Sequence, residues 1–128
     1  MVITIDFESD SPIYTQIYDQ IVMGIATGIL GLGEDLPTVR RMAADIGINM
    51  HTVNKAYTIL RDEGFIKIDR RTGAAVSSKL PKRDDAFTDR LIERLRPIVA
   101  QSVCQSVTSE EFCKLCSQIY KQLEGENI

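Results

Sequence analysis

At 128 residues, with 44% hydrophobic and 26% charged side chains, the chain is long enough for one buried core and a small helical appendage. No apolar run approaches the roughly 18 residues of a membrane span, and no basic stretch followed by an apolar one opens the sequence, so the expectation is a cytoplasmic protein with no membrane partner. The net charge of −3 is unevenly spread: residues 1–35 hold six acids and no base, residues 36–78 seven bases against four acids, and residues 79–128 eight of each. A segment of local positive charge inside an acidic chain attracts phosphate where it lies, whatever the total.

In chain order, residues 1–11 begin with Val-Ile-Thr-Ile-Asp, an alternation that predicts a short edge strand or an extended segment beside a second copy. Pro12 suits the first turn of a helix running to Thr27, with Ile13, Ile17, Ile21 and Ile25 along one face and Tyr14 and Tyr18 flanking it. Gly24, Gly28, Gly31 and Gly33 lack both a preceding apolar strand and a Gly-Lys-Ser/Thr sequence, so they read as loop punctuation rather than a phosphate cradle.

A second helix is expected after Pro37, N-capped by Thr38, with Val39, Met42, Ala43 and Ile46 inward and Gly47 at its end. Asn49 caps the next, on which Val53, Ala56, Tyr57 and Leu60 form the core stripe. The opposite face runs Met50, His51, Thr52, Asn54, Lys55, Thr58 and Arg61, mostly donors and acceptors free to read base edges. Lys55 could instead pair with nearby acids, and the Tyr57 hydroxyl could reach a phosphate. Gly64 fits a left-handed helix stop, Phe65 to Ile68 a strand, Asp69 to Gly73 a turn carrying Arg70 and Arg71, and Ala74 to Ser77 the returning strand. Two helices across a glycine turn followed by a hairpin with two guanidinium groups at its tip make a winged helix-turn-helix, mostly α with a small β-wing.

From Ser78 the polar sequence SKLPKRDD reads as a linker, giving a division into residues 1–78 and a helical segment 79–128. Phe87, Leu91, Leu95 and Ile98 mark one amphipathic helix, kinked or restarted at Pro97, and Thr108 with Glu111 forms a capping box for another bearing Phe112, Leu115, Ile119 and Leu123. Two such stripes cannot close a core in so few residues, so they predict a homodimer. Cys104, Cys113 and Cys116 read as small apolar residues at that seam, with a redox or metal role for Cys113 and Cys116 as the alternative. No nucleophile setting or acidic cluster suggests an enzyme, and no cofactor or metal site is expected.

The Pro12-Ile13-Tyr14 opening with Gln16-Ile17, the loop Gly28-Ile29-Leu30 with Gly33-Glu34-Asp35-Leu36-Pro37-Thr38-Val39-Arg40, the turn Gly47-Ile48-Asn49, and Thr52-Val53 with Lys55-Ala56-Tyr57 together resemble the GntR family of bacterial transcription regulators, and within it the short YtrA-type subfamily. The resemblance spans residues 11–78. It implies that Arg40 is the DNA-contacting arginine of the first helix, Thr52 the polar position early in the recognition helix, and Gly73 the glycine of the wing tip. Many members carry arginine where this chain has Met50 and Asn54, and the wing departs at Arg71 and Ala75, so the base code implied here is different. The resulting expectation is a homodimeric regulator, more specifically a repressor, that binds double-stranded DNA at an inverted-repeat operator. Thr38, Arg40 and Asn49 would position the backbone, His51, Thr52, Asn54 and Lys55 read or flank bases, and Arg70, Arg71 and Gly73 touch phosphate or the minor groove. An unidentified small-molecule effector is allowed for. The alternatives are a winged-helix protein-interaction module, and a thiol- or metal-responsive regulator acting through Cys113 and Cys116.

Overall fold

The computed structural model describes residues 2–125, so the outermost ends of the expected terminal segments, Met1 and residues 126–128, lie outside it. Among the described residues it contains five helices, α1 (Ile13–Thr27), α2 (Val39–Ile46), α3 (Met50–Asp62), α4 (Asp85–Cys104) and α5 (Ser109–Glu124). Three short strands, β1 (Asp35–Leu36), β2 (Ile66–Asp69) and β3 (Gly73–Val76), form an antiparallel sheet in the order β1-β3-β2. The chain divides into two compact units, Met1–Pro81 and Lys82–Ile128. No helix among the described residues is long and apolar enough to cross a membrane.

The core of the first unit is assembled from the stripes that helical spacing predicts. Ile17 and Ile21 of α1, Met42 and Ala43 of α2, and Val53, Ala56, Tyr57 and Leu60 of α3 are buried together with Ile66, Ala74 and Val76 of the sheet. Each fully buried large aliphatic side chain contributes roughly 1.5–3 kcal/mol, so this three-helix cluster carries the unit's stability. Both predicted caps of the helix-turn-helix are present: Thr38 Oγ1 accepts from the Arg41 amide at 3.1 Å, and Asn49 Oδ1 from the His51 amide at 2.8 Å. Gly47 ends α2 at φ +82°, a conformation that costs other residues steric strain, and its amide closes back on Ala43.

Two local alternatives are decided and one strand is added to those expected. The alternating N-terminal segment forms no strand. Instead Gln16 and Gln20, one turn apart on α1, bind its backbone with their side-chain amides. Gln20 Oε1 accepts from the Thr4 amide while its Nε2 donates to the Thr4 carbonyl, and Gln16 makes the same pair of bonds with Asp6. Ile3 and Ile5 thereby pack on the core. The third strand comes from Asp35 and Leu36, paired with Ala75 and Ala74, a segment with no strand pattern of its own. The helix α4 continues through Pro97 to Cys104 rather than restarting there.

In the second unit Asp84 caps α4 and Thr108 caps α5 in a complete capping box with Glu111. Neither helix has a buried residue. Phe87, Leu91, Ile98, Leu115 and Ile119 are exposed, and Leu95, Phe112 and Leu123 only half-buried. Cys104 and Cys113 are exposed free thiols and Cys116 is partly covered. Among the described residues no cluster of three metal-ligating side chains exists.

The capping box gives a pH prediction. Hydrogen bonds from the Thr108 backbone and side chain hold the Glu111 carboxyl below the 4.5 of a free glutamate. A depressed folded-state pKa contributes stability that is present above the unfolded value and is lost as pH falls through the folded one. The α5 N-terminus should therefore remain capped at neutral pH and fray in acid. Titration of the Thr108 amide by NMR should show a midpoint below the ordinary glutamate range, and Glu111→Gln should abolish that transition.

Candidate nucleic-acid interface

The candidate face is built by α2, α3 and the β2–β3 wing. Because Val53, Ala56, Tyr57 and Leu60 commit one side of α3 to the core, the other side must present His51, Asn54, Lys55 and Arg61 outward, and all four are exposed. Among the described residues the side chains of Arg40, His51, Asn54, Arg70 and Arg71 make no hydrogen bond or ion pair within the chain, so their donors and acceptors are available. Thr52 is half-buried at the start of α3 and its amide donates to the Asn49 carbonyl. The N-termini of α2 and α3 both open on capped first turns without an acid, leaving their positive dipole ends uncompensated.

Several neighbours are already engaged. Arg41 pairs with Asp45 at 3.8 Å across one turn of α2, and Arg61 with Asp62 at 3.1 Å. Two readings of α3 change. Lys55 meets no acid: its ammonium sits 4.0 Å from the centroid of the Tyr14 ring on α1, a cation–π contact worth roughly 0.5–1 kcal/mol at an exposed site. The Tyr57 hydroxyl cannot serve a phosphate, because Tyr57 is fully buried and donates to the Pro37 carbonyl at 2.7 Å. Burial also holds that phenol well above its usual range.

The wing is seated by the same region. Asp69 Oδ1 accepts from the Arg71 amide at 2.7 Å and tightens the turn, leaving the Arg70 and Arg71 side chains exposed at its tip. Gly73 closes the turn at φ +89°, and a methyl built on it would lie 3.3 Å from Thr38 Cγ2. The C-terminal side of the wing turn and the N-cap of α2 are thus neighbours. Sequence spacing did not reveal this contact, nor Tyr14 as the seat of Lys55, since both join residues more than thirty positions apart. Only the glycine in a short turn hinted at the first.

Gly73→Ala tests the seating. The side chain is strained at positive φ, and its methyl must displace Thr38, whose hydroxyl is fixed by its capping bond. A loss of about 1–3 kcal/mol in urea unfolding is expected, with weaker DNA retention. An unchanged unfolding midpoint would mean that the wing adjusts freely.

The family model described as bacterial regulatory proteins, gntR family, matches residues 13–76, from the first residue of α1 to the last of β3. The HTH-type transcriptional repressor YtrA of Bacillus subtilis (strain 168) is 42% identical over 125 residues, covering 96% of this chain and 95% of that protein. Among solved structures, YtrA from Sulfolobus acidocaldarius, a GntR-family transcription factor, matches with 40% identity and a TM-score of 0.62 over 81% of this chain and 99% of its own. A transcriptional antiterminator from Listeria monocytogenes EGD-e reaches a TM-score of 0.86 at 27% identity, covering 96% of this chain and 92% of that one.

Proposed function

This chain belongs to the GntR family of bacterial regulatory proteins, and from that premise we propose that it is a homodimeric transcription repressor whose winged units read the two halves of an inverted-repeat operator. The observation that carries the reading is the outer face of α3: exposed side chains with unused donors and acceptors, on a helix whose N-terminus is capped and free of acids. Such a helix enters the major groove by its N-terminal end, where unpaired amides favour phosphate and the first-turn side chains meet base edges. In this arrangement residues 1–78 are the DNA-binding domain. Thr38, Arg40 and Asn49 hold the backbone, and His51, Thr52 and Asn54 face bases. Lys55, held on Tyr14, meets the flanking phosphate, while Arg70, Arg71 and Gly73 lie along phosphate or the minor groove. The protein acts without catalysis and works in the cytoplasm.

Dimerisation falls to residues 79–128. The side chains of Phe87, Leu91, Leu95, Ile98, Phe112, Leu115, Ile119 and Leu123 lie on two helices that bury none of them fully within their own chain. Apolar stripes of this extent are stable in water when a second copy covers them. The two-fold axis of such a dimer presents two α3 helices to half-sites about 10 base pairs apart, or a multiple of that spacing.

The test is affinity selection of sheared genomic DNA on the purified protein at near-physiological salt, followed by sequencing of the retained fragments. Enrichment of one short inverted repeat is the expected result. Retention that is indifferent to sequence and disappears as salt rises would contradict operator recognition.

A further inference from the structure

On the first unit, at the C-terminal end of α3, lies a cleft of about 510 Å³ bounded by Arg61 and Gly64, by Ile66, Lys67 and Ile68 of β2, and by Ser77, Lys79 and Pro81. It is shallow, open to solvent and mostly apolar, with Ile66 and Ser77 buried beneath it and Ile68 and Pro81 exposed along it. Its rim carries three cations and no acid. The nearby carboxylates are occupied elsewhere: Asp62 pairs with Arg61, Glu63 accepts from the Tyr18 hydroxyl, and Asp69 caps the wing turn. Among the described residues Lys67 and Lys79 have no ion-pair partner. We propose that this cleft binds a small organic anion with an apolar body, its carboxylate or equivalent group held by Lys67 and Lys79 and its hydrocarbon part against Ile68 and Pro81.

Charge complementarity alone would equally suit a DNA backbone, but the position argues otherwise. Arg61 lies eleven residues after Met50, so at 1.5 Å per residue the cleft is roughly 16 Å along α3 from the end that faces the groove. A mostly apolar surface beside two unpaired ammonium groups matches an amphiphilic anion, whereas DNA phosphates are met by polar groups. The cations' aliphatic stems extend the apolar wall while their ends stay at the rim.

The position also suggests what occupancy would do. Ser77 Oγ donates to the Gly64 carbonyl at 2.8 Å, and a Cβ on Gly64 would lie 3.3 Å from Pro81 Cγ, so the strand leaving the wing is pinned to the turn between α3 and β2. A ligand in the cleft touches both sides of that pin and bears on the setting of α3 against the wing. This consequence for DNA rests on the function proposed above, whereas binding itself does not.

The full chain is titrated with sodium octanoate at pH 7.5 and, separately, with 1-octanol, which has the same tail without the charge, and amide shifts are followed by NMR. Saturable octanoate shifts centred on Arg61, Gly64, Ile68 and Ser77 are expected, with octanol weaker by about tenfold or more. The exposed double variant Lys67→Gln/Lys79→Gln should keep the wild-type spectrum elsewhere and lose octanoate affinity by a similar factor. Equal binding of octanol and octanoate, shifts confined to α4 and α5, or a double variant that binds octanoate as the wild type does would each overturn the assignment. So would absence of octanoate binding, and in that case a lowered DNA affinity and flatter salt dependence in the double variant would identify these cations as phosphate contacts.

Discussion

Tyr57→Ala is expected to lower the unfolding free energy by about 3–5 kcal/mol, the range for truncating a large buried aromatic, and to leave the first unit largely unfolded near 37 °C. Tyr57 is the largest fully buried side chain, packed where α1, α2 and the sheet meet α3, and its hydroxyl reaches out of the core to the carbonyl of Pro37 at the start of α2. Truncation removes both the packing and the bond that ties the entry of α2 to the recognition helix. A small domain has about 5–15 kcal/mol in total, so one such loss is decisive. Tyr57→Phe separates the two contributions: it keeps the ring, and its cost is about 1 kcal/mol because water can reach the freed carbonyl at the exposed Pro37.

The same pair of variants carries a pH signature. Burial raises the phenol of Tyr57 above its ordinary value of 10.0 in the folded state. A raised folded-state pKa contributes stability that is fully present below the unfolded value and is lost as pH rises toward the folded one. Wild-type stability should therefore decline above pH 10, and Tyr57→Phe should remove that part of the alkaline slope. Urea unfolding followed by circular dichroism between pH 8 and 11 measures both effects. A Tyr57→Ala variant of near wild-type stability would show that the three-helix cluster is not the source of the fold's stability.

What the sequence revealed and what it concealed divide along contact range. Thr38, Asn49 and Thr108 were identifiable as caps because the bonds they accept come from amides two or three residues away, and Gly47 and Gly64 because a left-handed stop is a local requirement. The stripes of α1, α2 and α3 were legible from their period, and the wing from its turn residues. The strand at Asp35–Leu36 was not, since two residues have no period and pair only because β3 lies beside them. Gln16 and Gln20 share a face of α1, but nothing local says that their amides bind the backbone of Thr4 and Asp6. Lys55 is the instructive case within the site: its exposure followed from the wheel of α3, yet its seat on Tyr14 depends on how α1 crosses that helix. The tail stripes were equally legible as apolar, and their exposure in the single chain is the physical ground for assigning them to a partner copy.

Arg40→Ala and Asn54→Ala should separate positioning from reading. Arg40 stands in the first turn of α2, exposed, unpaired and beside the cap that the wing glycine touches, and the role proposed for it is a phosphate contact rather than a base contact. Its loss should weaken operator and random DNA alike and reduce the salt slope by about 0.9 for the one phosphate contact removed. Asn54 lies on the outer face of α3 with both its amide groups free, and the chemistry that fits it is a bidentate bond to adenine. Its replacement should leave random binding and the salt slope as they are and erase about 1–3 kcal/mol of discrimination at one base pair in each half-site. Fluorescence-anisotropy titrations of both variants against operator and scrambled duplexes, at several salt concentrations, give the four affinities and two slopes required. If Asn54→Ala lowers operator and scrambled affinity equally, α3 is held against the backbone at that position and specificity must come from elsewhere on the face, with His51 and Thr52 as the next residues to change.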